Sequence, residues 1–214
     1  MERENYLAII KTFFMALVFL VIGSIIGVTL IPPSVRYMLN MAFFVLVLFS
    51  MFSRKGGFIK TKGSMYGYAF ILGILTGSTY VYYFATLGSD LFLSAILGVL
   101  LVFGIAYIVA SRSSEEKVFK MSSMVWSAIF ALLIIEFINI FFFDFGTLDL
   151  ILSGAGILIY SIYAIIIMKS IQTRCRYGRL SESEVVQLSY SVFISFLNLL
   201  LDILRLLSIV RDND

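Results

Sequence analysis

The sequence predicts an all-α integral membrane protein, a bundle of seven transmembrane helices forming a single domain over residues 1–214, on three observations. First, 61% of the 214 residues are hydrophobic, only 14% are charged, and the mean hydropathy is +1.03. An average soluble domain carries about 25% charged residues, so the polar coat that a soluble core requires is missing here. Disorder is excluded as well, because it needs low hydrophobicity and high charge. Second, the apolar residues gather into seven stretches, each close to the roughly 20 residues that carry a helix across about 30 Å of hydrocarbon. Third, Lys and Arg concentrate in alternate connections, the asymmetry that orients helices in a bilayer.

The stretches, in order, are 6–31, 36–53, 65–87, 91–111, 121–143, 148–171 and 185–210. Pro32-Pro33 closes the first, because proline cannot continue a helix and restricts the residue before it. The second runs into the basic segment that begins Arg54-Lys55, and the turn 87–90 separates the third from the fourth. Charged connections bound the remaining three. Apolar residues surround each stretch on all faces, as lipid-embedded helices require, and the strict apolar–polar alternation of barrel strands is absent. Of 16 Lys and Arg, 13 lie on the side that includes Arg3, Lys60, Lys117 and Arg176. Only Arg36 and Arg211 lie on the other, and Arg205 sits within the last stretch. The N-terminus is therefore expected in the cytoplasm and, with seven crossings, the C-terminus on the opposite side; a re-entrant last stretch would instead return the tail to the cytoplasm. No small-residue cleavage site follows the first stretch, so a removed signal peptide is not expected.

Small residues recur at packing distance in Gly23-Ser-Ile-Ile-Gly27, Gly73-Ile-Leu-Thr-Gly77 and Gly154-Ala-Gly156. Such positions let helix backbones approach closely, and packing within one bundle is the expected use, with a homodimer face as the alternative. No strand precedes the last triplet, so a dinucleotide-binding loop is excluded.

The chain has no histidine and one cysteine, Cys175. This removes His-based acid–base chemistry, His–Cys zinc sites and an intramolecular disulfide. Away from the span ends, no Ser or Thr has a Lys at helical spacing to activate it. An enzyme, a metal site, a cofactor and a nucleic-acid partner are all unexpected. Charged side chains inside spans are costly and mark function by default. Three lie well inside the stretches: Glu136 in the fifth, Asp202 and Arg205 in the seventh. At 1.5 Å per residue both carboxylates fall about 6 Å outward of the span centre. Arg205 shares a helix face with Asp202, and Asn139 and Asn198 extend the two polar faces. One reading is a polar path through the outer half of the bundle that attracts cations. The other is a self-neutralising Glu136–Arg205–Asp202 clasp joining two helices, which also explains how the charges tolerate burial.

Gly67-Tyr68-Ala69-Phe70, followed by Thr76-Gly77-Ser78-Thr79, resembles the transmembrane Bax inhibitor motif (Bax inhibitor-1) family. So does the final third, where Tyr160-Ser161-Ile162-Tyr163 precedes a basic loop and Ser191-Val192-Phe193-Ile194-Ser195-Phe196-Leu197-Asn198-Leu199 leads to Leu204-Arg205. The resemblance implies a bundle whose last helix is central and wrapped by the other six. It also implies a pH-responsive cation leak, mainly for calcium, with links to cell-death protection or to modulation of a membrane protease.

The departures are specific. The two aspartates that form the family's pH sensor fall here at Ile167 and Ser195, neither of which ionises. The carboxylate common in the second span has no counterpart within 41–52. Asn198 and Arg205 follow the family pattern, whereas Glu136 and Asp202 belong to this chain. The expectation is a cation leak with altered or lost pH gating, its path rebuilt around Glu136 and Asp202. The competing expectation is a non-conducting protein that binds and modulates other membrane proteins. A secondary transporter would require an internal repeat, and none is evident.

Overall fold

The computed structural model describes residues 2–32, 34, 35, 38, 59–139 and 146–212. Among them are five helices and no strand: α1 (Glu2–Leu30), α2 (Lys62–Arg112), α3 (Glu115–Ile138), α4 (Gly146–Arg176) and α5 (Glu182–Asp212). All five are long and apolar enough to cross a membrane. The all-α class therefore stands, and the described residues carry five candidate spans where the sequence suggested seven. The expected second span, 36–53, lies almost wholly outside the described residues. The expected third and fourth spans are one 51-residue helical element, interrupted only at Gly88. There φ is +81° and ψ is 169°, a conformation open to glycine but strained for side-chain-bearing residues.

The ends of the helices follow from local chemistry. Helix α1 stops at Leu30, two residues before Pro32. Thr61 and Ser64 cap the start of α2 reciprocally: Ser64 N–H donates to Thr61 Oγ1 at 3.2 Å, and Thr61 N–H donates to Ser64 Oγ at 3.1 Å. Ser181 and Glu184 form a capping box at the start of α5, with Ser181 N–H donating to Glu184 Oε2 at 3.0 Å and Glu184 N–H to Ser181 Oγ at 3.3 Å.

The chain divides into two compact units. The first comprises Met1–Tyr82 and Tyr177–Phe193. Its helices α1 and α2 interlock through their glycines. A Cβ on Gly23 or Gly27 would collide with the backbone of Phe70 or Ile74, and one on Gly73 or Gly77 with the backbone of Leu20 or Ser24. The two small-residue motifs mesh with each other, so they serve internal packing. Asn5, 4% exposed, ties the start of α1 to the α4–α5 turn. It donates to Gly178 O at 2.6 Å and accepts from Leu180 N–H at 3.2 Å. Tyr68, from the family-like motif, meets Tyr190 edge-on at 5.3 Å.

The second unit comprises Tyr83–Arg176 and Ile194–Asp214. It is pinned by polar side chains. Lys169, 6% exposed, donates from Nζ to the carbonyls of Ala110 at 3.2 Å and Ser113 at 2.6 Å, satisfying groups left open where α2 ends. Gln172 Nε2 donates to Tyr107 O at 3.0 Å, and Thr173 Oγ1 to Glu115 Oε1 at 2.8 Å. Arg211 donates to the carbonyl of Thr86, just before the Gly88 break. Helix α5 is the most buried of the five: 56% of its most apolar window is covered, against 17–28% for α1, α2 and α3.

Candidate functional site

The polar residues singled out from the sequence converge within the second unit, where α3, α4 and α5 each contribute. Glu136 lies two residues from the end of α3, and Arg205 and Asp202 share one face of α5. Arg205 Nη1 donates to Glu136 Oε1 at 3.0 Å, an ion pair whose side chains are 23% and 18% exposed. The expected helix-to-helix clasp is thus present between Glu136 and Arg205. A guanidinium suits this position, because it stays protonated and offers several fixed donors.

Asp202 departs from the clasp. It is only 3% exposed, so it is enclosed by protein and not hydrated at a shallow depth. It lies within electrostatic reach of Glu136 and Arg205. Even so, its Oδ2 has no hydrogen-bond partner among the described residues. The carboxylate occupies the notch left by Gly156 on α4, where a Cβ would collide with Oδ2. Gly156 was legible as a packing glycine, but here it receives a carboxylate and not a helix backbone. Gly154 has nothing within 4 Å of where its Cβ would stand. Tyr160, one turn beyond Gly156 and 3% exposed, lies within electrostatic reach of both carboxylates. The Ser153 and Ser195 hydroxyls are fully buried and likewise lack a partner among the described residues.

The other expected positions divide. Asn139, 2% exposed, does not simply extend the Glu136 face: its Nδ2 donates to Asp149 Oδ1 at 2.8 Å, joining the end of α3 to the start of α4. Asp149, at the start of α4, is therefore an internal partner of Asn139. Asn198 is half-buried, four residues before Asp202. The two family-sensor positions are both interior, Ile167 at 3% and Ser195 at 0% exposure. Asp144 lies outside the described residues.

Residues near the connections are also engaged in the fold. Cys175 is buried in the last turn of α4 and is not a loop residue. Glu115, Glu182 and Glu184 hold partners: Thr173, the Lys62 N–H at 3.4 Å, and the α5 cap respectively. Lys169, near the end of the 148–171 stretch, is a buried helix residue. The spacing of Ile166, Lys169 and Gln172 carries the signal, since all three are buried and recur every three residues along one side of α4.

A family model described as Inhibitor of apoptosis-promoting Bax1 matches residues 3–212. The chain belongs to the Bax inhibitor-1 family. It is accordingly a multi-pass integral membrane protein. A Lactococcus lactis relative, printed as the uncharacterized protein YrjE, is 28% identical over 149 residues. That alignment covers 69% of this chain and 61% of the relative, so the chain matches less than two thirds of that protein's length.

Proposed function

We propose that this Bax inhibitor-1 family member is a cation leak whose path runs past Glu136 and Asp202, and that it catalyses no reaction. The observation that carries the reading is Asp202 itself: a carboxylate enclosed by protein, with an oxygen that finds no partner among the described residues. An ionisable group so placed is expensive in hydrocarbon and marks function by default. The family resemblance names calcium as the ion. The burial of α5 supports the central position that the resemblance gives to the last helix. Seven crossings, with the segment 36–53 as the second, and a cytoplasmic N-terminus complete the proposed topology on the Lys and Arg count. With Ile167 and Ser195 at the sensor positions, gating by a titrating aspartate pair is lost or altered.

The test is ion flux into proteoliposomes, at acidic and alkaline pH, for wild type beside Asp202→Asn. Flux that the substitution abolishes is expected; flux left unchanged would remove Asp202 from the path. A second reading, a non-conducting protein that modulates membrane partners, is favoured by the Glu136–Arg205 pair, which already neutralises one of the two carboxylates. Wild-type flux indistinguishable from empty liposomes, together with co-purification of a defined partner, would select it.

A further inference from the structure

At the opposite end of α4 from Gly156, the second unit gathers positive charge at one corner. Lys169 reaches the carbonyls of Ala110 and Ser113, and Thr173 donates to Glu115 Oε1 at 2.8 Å. These bonds tie the α2–α3 turn to the last turns of α4. Within two helical turns of them stand Arg112 at the end of α2, Lys117 and Lys120 at the start of α3, and Arg174 and Arg176 at the end of α4. All five are exposed. With the buried Lys169, residues 112–120 and 169–176 carry six basic side chains against two acidic ones, Glu115 and Glu116, a net charge of +4. Glu115 is turned toward Thr173, so the outward surface of the corner is more basic than this count. Lys117 and Lys120 lie three residues apart, on one side of α3. The next turns of the same helices are apolar and outward-facing: Met121 and Met124 on α3 are 42% and 64% exposed, and Ile108 and Ile105 on α2 are 53% and 60% exposed. Such surface belongs in acyl chains, which sets the basic residues at the level of the headgroups, where long cationic side chains extend their tips.

We infer that this corner is a binding surface for anionic phospholipid headgroups, built by the Lys169 and Thr173 tethers that bring three helix ends together. The inference goes beyond the cation-path reading and does not depend on it. Charge selects the class of lipid. A zwitterionic headgroup offsets its phosphate with its own cation, whereas a headgroup of net negative charge answers the +4 of the corner. Guanidinium and ammonium groups both bind phosphate, the first through a planar fork and the second as a point charge. Position selects lipid over other anions, because the lipid-facing turns of α2 and α3 run directly into the basic residues. The tethers matter because they hold cations from separate helices at one place, which a general excess of Lys and Arg on one side of a membrane does not.

The experiment is thermal unfolding of the full-length protein in neutral detergent, titrated with phosphatidylglycerol, with phosphatidylcholine of the same chains, or with inorganic phosphate. A ligand that binds only the folded protein raises its Tm, and the rise gives its affinity. Wild type is expected to be stabilised by phosphatidylglycerol beyond phosphatidylcholine, and not by inorganic phosphate. Lys117→Gln/Lys120→Gln, at two exposed positions, should weaken the phosphatidylglycerol affinity by about tenfold or more. Lys60→Gln/Lys62→Gln removes the same number of charges from the other unit and should change it by less than about twofold, since charges beyond the screening length contribute little. Thr173→Val keeps every charge and releases one tether; it should weaken phosphatidylglycerol and leave the phosphatidylcholine response as it was. Equal stabilisation of wild type by the two lipids would overturn the inference. So would an equal loss in the two lysine pairs, which would reduce the corner to a share of the overall charge. An unchanged phosphatidylglycerol affinity in Thr173→Val would overturn the built corner, and inorganic phosphate acting as strongly as phosphatidylglycerol would overturn lipid as the ligand.

Discussion

The two compact units are held together by opposite means, although both use glycine. In the unit built from Met1–Tyr82 and Tyr177–Phe193, Gly23, Gly27, Gly73 and Gly77 remove side chains so that the backbones of α1 and α2 touch. In the unit built from Tyr83–Arg176 and Ile194–Asp214, Gly156 removes a side chain so that the Asp202 carboxylate can enter. Without a hydrophobic drive between helices in lipid, close packing and polar bonds are the available sources of cohesion. One unit draws on the first and the other largely on the second. The same residue type in the same kind of apolar run therefore marks a seam in one place and a polar niche in the other.

The largest effect is expected at the seam. Gly73→Val would set a branched side chain against the Leu20 carbonyl and the Ser24 N–H, both of them backbone. Backbone cannot rotate aside, so a loss of about 3 kcal/mol is expected, the upper end of the overpacking range. Unfolding of the purified protein in mixed micelles measures it. A loss near zero would mean that α1 and α2 can separate without consequence, and the seam would not be what holds that unit.

At the niche the obstacle is a side chain, so the cost should be lower and should be removable. Gly156→Ala is expected to destabilise by about 2 kcal/mol, since the new methyl displaces the Asp202 carboxylate. Combined with Asp202→Ala, the clash disappears, and the two substitutions should couple by about 1 kcal/mol in a double-mutant cycle. Strict additivity would separate Gly156 from Asp202 and leave the niche without its floor.

Much of this was legible in the sequence because hydrocarbon imposes a simple rule on composition. The all-α class, the end of α1 before Pro32, the meshing small-residue motifs and the gathering of Glu136, Asp202 and Arg205 all follow from residue type and 3.6-residue spacing. What was not legible depends on register between helices. Nothing in the spacing of Glu136, Asp202 and Arg205 says which carboxylate Arg205 will choose, or that Asn139 will turn to Asp149. Nor could a notch at Gly156 be matched to Asp202 without knowing how α4 lies against α5. The place of Lys169 is hidden for a different reason. Charge ordinarily marks the end of a span, whereas a lysine at the last turns of a helix can fold inward when carbonyls such as those of Ala110 and Ser113 await it.

The smallest effect tests whether the niche is local to one residue. Gly154 lies two residues from Gly156 in the same helix, yet nothing stands within 4 Å of where its Cβ would point. Two positions along a helix is most of the way to its opposite side, so the notch that Asp202 fills does not reach it. With no neighbour to meet, only the backbone term remains. Gly154→Ala should therefore stabilise the protein by about 0.5–1 kcal/mol, the gain from replacing glycine inside a helix. The sign carries the information. A stabilised Gly154→Ala beside a destabilised Gly156→Ala would confine the requirement for glycine to the single residue beneath the carboxylate. A loss at both positions would instead make the triplet a packing seam of the kind that joins α1 to α2.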